Sequence, residues 1–305
     1  VKTYLLLCAL CMGVMFSSAQ TFPVDDPVIR RIWAEAMDSS QLPSLAHHLL
    51  DVIGPRLTGT PQMLQANSWV AGMYHAWGIG ATNEQYGTWR GWERGTSHID
   101  LLEPRVRTLE GTMLAFSPAT RKSGVKARVV ILPDAADSAA FQRWLPSVKG
   151  KFVLLSAAQA TGRPDKDWED FGTKESFDSL NALRDRIRVN WERRLKMSGC
   201  TVDSLPVVLE HAGAAGVMSS IWSHGWGAYR VFDTRTHTIP AVTLSLEDYA
   251  LVYRLAEQGD NPLLHIQTNA RFLDPQPVQN TIGRIQGGER GGEYVVLSAH
   301  LDSWD

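Results

Sequence analysis

The chain has 305 residues, of which 44% are hydrophobic and 20% charged, the balance of a folded globular protein rather than a disordered or fibrous one. Its 30 basic and 32 acidic residues leave a net charge of only -2. With no basic run interleaved with aromatics, that near-neutrality excludes nucleic acid as a leading partner.

The first segment, residues 1–19, reads as a secretory signal peptide: Lys2 supplies a positive start, Tyr4 to Phe16 is almost wholly apolar, and Ser17-Ser18-Ala19 places small residues before Gln20. A secreted or periplasmic protein is therefore expected. The apolar stretch is shorter than the roughly 18 to 20 residues that cross a bilayer, so no membrane span is expected either. Cys8 and Cys11 leave with the signal, and Cys200 alone cannot form an internal disulfide. No His or basic residue adjoins Cys200 in sequence, which makes it a quiet thiol.

Two helices are predicted next, over Val28–Met37 and Gln41–Ile53, from apolar residues at three- and four-residue steps after turn-forming Asp, Pro or Ser. Gly54-Pro55 closes the second, and a loop to Thr60 precedes a third helix over Pro61–Trp77. Extended runs follow at Asn83–Trp89 and Ser97–Leu102, then short buried strands at Ala127–Leu132 and Lys151–Ser156. Phe177, Leu180, Leu183, Ile187, Trp191 and Leu195 trace one long amphipathic helix over Glu175–Lys196. Beyond it come a helix and strand within Leu205–Met218, a strand at Ile239–Leu244, a helix over Leu246–Glu257 and an extended run at Leu263–Thr268. Two last strands, Asn280–Ile285 and Tyr294–Ala299, flank the turn Gly287–Gly292. Short apolar strands mixed with helices indicate an α/β protein with a second domain inserted into the first.

His300 and Asp302 carry the sharpest chemical signal. They directly follow an apolar run, at the C-terminal mouth of a predicted strand, which is where open α/β sheets bind ligands. Two residues apart on extended chain, both side chains project to one side, so the carboxylate can fix the tautomer of an imidazole that holds a metal. Spacing alone leaves a chance His-x-Asp pair open, because a catalytic zinc site needs about three protein ligands and only one is placed. No other histidine sits in a comparable motif.

Three stretches resemble the M28 family of zinc peptidases, closest to its carboxypeptidase Q-like branch: Gly54-Pro55-Arg56-Leu57-Thr58-Gly59, Trp92-Glu93-Arg94-Gly95, and Tyr294 to Asp305 with its His300-Leu301-Asp302-Ser303-Trp304 core. Residues 111–272 resemble the protease-associated (PA) domain that this branch inserts, through Val148-Lys149-Gly150-Lys151-Phe152-Val153-Leu154, Glu210-His211-Ala212-Gly213 and Ile239-Pro240-Ala241-Val242. The resemblance implies a zinc-exopeptidase-like mixed sheet built from residues 20–110 and 273–305 around that α+β, β-rich insert. It makes the Trp222-Ser223-His224-Gly225-Trp226 loop a candidate wall of the substrate cleft, the alternative being that these aromatics are core.

The resemblance further implies two zinc ions per complete site, with His300 a metal ligand and Asp302 a catalytic carboxylate beside it. The substrate would be a peptide or dipeptide, and a homodimer is a candidate assembly. The family's bridging Asp, Glu-Glu pair, further acidic ligand and last His match nothing in these residues. Truncation of the chain after its first metal motif is therefore expected, leaving it inactive alone. An aminoacyl cyclase within the same fold and a non-catalytic PA-type binding ectodomain are the alternatives.

Overall fold

The computed structural model describes residues 26–225 and 228–303; the predicted signal peptide, Trp226 and Trp304-Asp305 lie outside them. The chain divides into two units, Val1–Gly54 and Pro55–Asp305.

In the first unit, α1 (Pro27–Trp33) starts where Asp26 accepts the Val28 amide at 2.7 Å, with proline in the first turn. It runs on through a π-helical turn, Ala34–Asp38. The second predicted helix likewise divides into α2 (Leu42–Ala46) and a π-helical stretch, His47–Ile53, which Gly54 ends at φ 77°.

The second unit opens with α3 (Pro61–Ala76), capped by the Thr60 hydroxyl, which accepts the Met63 amide. Two long strands follow at opposite ends of the remaining chain, β1 (Gly80–Glu103) and β10 (Leu263–Arg284). They pair antiparallel from Gly80↔Arg284 to Glu103↔Leu263, with register shifts at Gln85/Gly87, Trp89/Gly91, Arg94/Ser97 and Leu101/Glu103. Everything between them leaves and returns through this ribbon. The two runs predicted at Asn83–Trp89 and Ser97–Leu102 are parts of β1, and those predicted at Leu263–Thr268 and Asn280–Ile285 are parts of β10.

The far half of the ribbon joins a mixed eight-stranded sheet in the order β2-β1-β10-β4-β5-β6-β9-β3. Its centre is parallel: β4 (Val125–Ile131), β5 (Phe152–Leu154), β6 (Gly216–Ser219) and β9 (Ala241–Leu244). The short β2 (Arg107–Leu109) and β3 (Gly111–Met113) close the two edges antiparallel. A parallel sheet needs helices on both faces, and alternate residues of β5 show which helices serve. Phe152 and Leu154 pack with Tyr249 and Val252 of α8 (Leu246–Glu257). Val153 packs with Phe141 of α4 (Ser138–Trp144) and with Leu205 and Leu209 of α7 (Ser204–His211). Short α5 (Asp165–Phe171) and long α6 (Lys174–Ser198) complete the lobe, and Trp191 of α6 reaches both clusters. A small hairpin, β7 (Trp222–Ser223) with β8 (Ala228–Tyr229), stands apart from the main sheet.

Polar anchors fix α8 to the sheet and its edge segments. Buried Asp248 accepts from the Arg107 guanidinium at 2.7 Å and from the Glu110 amide at 2.7 Å. The Tyr249 hydroxyl donates to the Ser156 carbonyl at 2.7 Å and accepts its amide at 2.8 Å, and complete burial raises its pKa.

One predicted strand is absent. Tyr294–Ala299 forms no strand, and Tyr294, Val295, Val296 and Leu297 are exposed by 78–95%. A strand is defined by its neighbour, and among the described residues none lies alongside this run.

Candidate functional site

The exposed run delivers His300 and Asp302 to the end of the described chain with the geometry their spacing predicts. The His300 Nδ1 lies 2.8 Å from Asp302 Oδ1. With Nδ1 engaged, Nε2 is the ring nitrogen open to a ligand, and the imidazole is 93% exposed. A carboxylate that orients a histidine in this way is the usual arrangement behind a metal-bound imidazole.

What holds this segment is the Gly-Pro-Arg-Leu-Thr-Gly loop. The Arg56 amide donates to Ser303 Oγ at 2.8 Å, the Ser303 amide donates to the Arg56 carbonyl at 3.1 Å, and Arg56 Nε donates to the Leu301 carbonyl at 2.9 Å. Arg56 is only 6% exposed. Burial lowers its pKa, and attraction to Asp302 opposes that shift. The loop is itself seated on β1 through Gly59, at φ 87°, where a Cβ would lie 2.3 Å from the Arg90 carbonyl oxygen. The Gly59 carbonyl accepts the Trp92 amide at 3.1 Å. Only glycine satisfies both demands.

Asp302 and Ser303 form one end of a cleft of about 530 Å³. Its walls come from Leu57 and Thr58 of the loop, Tyr86 to Arg90 of β1, Val278 of β10, Ala115-Phe116 after β3, and Val231 to Asp233 after β8. The last two segments are bound together: the Ala115 amide donates to the Phe232 carbonyl, and the Thr234 amide to the Ala115 carbonyl. Phe116 stands at φ 58°, a conformation that costs a bulky residue on the order of 1–3 kcal/mol. Its ring meets Trp92 at 5.6 Å between centroids and lies 4.0 Å under the Arg90 guanidinium. Arg90 also donates to Asp233 at 3.3 Å, and Asp233 pairs with Arg235 at 3.1 Å. Burial lowers the Arg90 pKa; Asp233 opposes that and Arg235 adds to it.

The described residues Trp222 to Gly225 do not line this cleft. The wall expected from them comes from Val231, Phe232 and Asp233, because the Ala115 bridge draws that later segment towards β1. Among the described residues no group of three His, Cys, Asp or Glu side chains converges as a metal cage. Cys200 is a free, partly buried thiol. Arg56 was flagged in the sequence only through its motif, and no local pattern marked Arg90, Phe116 or Asp233.

No family model matches the chain. Among curated proteins it is similar to carboxypeptidase Q of Bos taurus and of Homo sapiens, each 23% identical over 257 residues that cover 84% of this chain and 48% of the relative. The chain thus spans about half the length of the curated relatives it matches. A crystal structure of a peptidase M28 precursor from Shewanella amazonensis SB2B superposes with a TM-score of 0.58 at 20% identity, over 91% of this chain and 58% of the other. The chain is thus similar in sequence to carboxypeptidase Q and in fold to a peptidase M28 precursor. The mixed sheet described above is accordingly an M28-type fold, and His300, Asp302 and the Arg56 loop converge within it. No helix among the described residues is long and apolar enough to cross a membrane.

Proposed function

We propose that this chain supplies the first metal corner and the substrate-cleft wall of an exported, zinc-dependent exopeptidase of aminopeptidase or dipeptidase type. The observation that carries the reading is the His300 Nδ1–Asp302 Oδ1 pair, 2.8 Å apart, at the mouth of a cleft that Asp302 itself lines. An exposed imidazole whose tautomer a carboxylate fixes is a donor that suits zinc. In this reading His300 is a metal ligand and Asp302 the catalytic carboxylate that orients it. Two zinc ions per complete site would polarise the scissile carbonyl and activate water. This chain's own residues hold the imidazole in register, through Asp302 and the Arg56 loop, and shape the cleft for a peptide.

Among the described residues no further His, Cys, Asp or Glu side chains converge with these into a metal cage, so this chain alone is predicted to give no zinc-dependent turnover. The reading includes a PA-type inserted domain over residues 111–272 and a cleaved signal at residues 1–19, both carried by the sequence features given above, with a homodimer as the candidate assembly.

The test is to express the complete gene product, measure bound zinc, and assay dipeptide hydrolysis with and without a chelator. Two zinc equivalents and chelator-sensitive hydrolysis are expected. A complete product that binds no zinc would overturn the reading in favour of a PA-type binding ectodomain, and a zinc protein that hydrolyses no peptide would turn attention to cyclase chemistry on the same metal ligands.

A further inference from the structure

Where α5, α6 and the β7–β8 hairpin meet, several buried donors have nothing to donate to. The Arg184 side chain of α6 is 10% exposed, and only one end of its guanidinium is used: Nη1 donates to Asp165 Oδ1 at 2.7 Å and to Asn181 Oδ1 at 3.2 Å. Its side-on edge, Nε with Nη2, is buried and has no partner among the described residues. With that same edge Arg107 grips Asp248, at 3.1 and 2.7 Å, and Arg271 grips Glu93, at 3.1 and 2.6 Å. Trp168 Nε1, Trp222 Nε1 and His224 Nδ1 are likewise buried and unpartnered. Asp165 draws these groups together. Its carboxylate holds Arg184, its amide donates to the His224 carbonyl at 3.1 Å, Trp168 stands one turn further along α5, and Trp222 lies two residues before His224. Apart from the histidine nitrogen, every one of these unpartnered atoms can only donate. Burial and then the Arg184 guanidinium lower the His224 pKa, Asp165 opposes the fall and Arg230 adds to it, so the charges acting on this ring are two cations and one anion.

We propose that Arg184, Trp168 and Trp222 form an oxyanion site under the β7–β8 hairpin, which takes a carboxylate or phosphate group through two of its oxygens. The site stands apart from the metal corner and does not depend on the peptidase reading. A planar guanidinium edge matches two oxygens of such a group at once, and the two indole N–H groups supply further donors. A buried donor without an acceptor has given up its water for nothing, and an anion in this place returns what each has lost. The donors are closed to solvent, so the anion enters as the hairpin lifts. That hairpin has two residues in each strand and pairs with no strand of the main sheet, and a two-stranded element of this size opens locally at small cost.

The experiment follows the tryptophan indole N–H signals of the complete gene product by nitrogen–proton NMR, while acetate or inorganic phosphate is titrated at an ionic strength held constant with chloride. Trp168→Phe and Trp222→Phe assign the two signals by deleting them, and each assigns its own, so one folded variant is enough to read the titration. Both signals should move downfield and saturate with at least one anion, and the tighter of the two anions says whether the site takes a carboxylate or a phosphate group. Arg184→Lys keeps a cation beside Asp165 and removes the side-on edge, so it should raise the anion concentration at half saturation about tenfold or more. An anion held by metal ions elsewhere leaves these two signals in place, which keeps the result separate from that of the zinc assay. Signals of Trp168 and Trp222 that move with neither anion, or that saturate in Arg184→Lys at the wild-type concentration, overturn the site.

Discussion

Replacing Arg56 with methionine tests how the metal-motif segment is held. Methionine keeps the backbone amide and carbonyl that pair with Ser303 and roughly the apolar stem, and removes the Nε donor to the Leu301 carbonyl. A hydrogen bond from a charged donor contributes about 1.5–3 kcal/mol. The Arg56 guanidinium is buried at a desolvation cost that lowers its pKa, which places the expected loss near the lower end of that range. Because about 1.4 kcal/mol is a factor of ten in an opening equilibrium, the Ser303 amide, which donates to the Arg56 carbonyl, should exchange with solvent about ten to thirty times faster in the variant. Native-state hydrogen exchange read at that amide, with a core amide of β5 as the control, measures it directly. A Ser303 amide that exchanges at the wild-type rate would refute the clamp.

Three further outcomes are expected. Gly59→Ala should destabilise the chain by about 2–4 kcal/mol, seen in the urea midpoint, since φ is 87° and the added methyl would meet the Arg90 carbonyl oxygen at 2.3 Å. In the complete zinc protein, Asp302→Asn should weaken zinc binding or activity by about 10- to 100-fold, measured by competition with a chelator of known affinity. Glu210 gives a pH dependence. Burial raises its pKa, but hydrogen bonds from the Thr238 hydroxyl and from the Thr238, His237 and Ile239 amides outweigh that and hold it below the ordinary value. A carboxylate depressed in the folded state stabilises above its unfolded pKa, about 4.3, and that contribution fades as pH falls through the folded value. Thermal melts from pH 6 to pH 3 should therefore lose stability more steeply in the wild type than in Glu210→Gln.

Where side-chain periodicity decides structure, the sequence was legible. The helix predicted over Leu246–Glu257 has those bounds, and the one predicted over Glu175–Lys196 extends by two residues or fewer at either end. Where a distant partner decides, it was not. Nothing apolar alternates through Arg90–Thr96, yet that stretch continues β1 because β10 lies beside most of it. Conversely, Tyr294–Ala299 has the composition of a buried strand and no strand beside it. The site divides in the same way. His300 and Asp302 are two residues apart and declare themselves, whereas Arg90 and Asp233 meet across 143 positions, a separation no local pattern encodes.

The long ribbon also orders events during folding. Gly80 and Arg284 are nearly the whole second unit apart in sequence, and closing a loop of that length before any contact rewards it is entropically costly. If the intervening sheet forms first, Glu103 and Leu263 are already side by side, and each further pair then closes only a short increment of chain. The two strands would zip from that end towards Gly80 and Arg284, passing Trp92, Arg90 and Trp89 on the way. On this route the cleft is among the last features to appear, and a nascent chain lacking the middle of its sequence would have no starting point from which to build it.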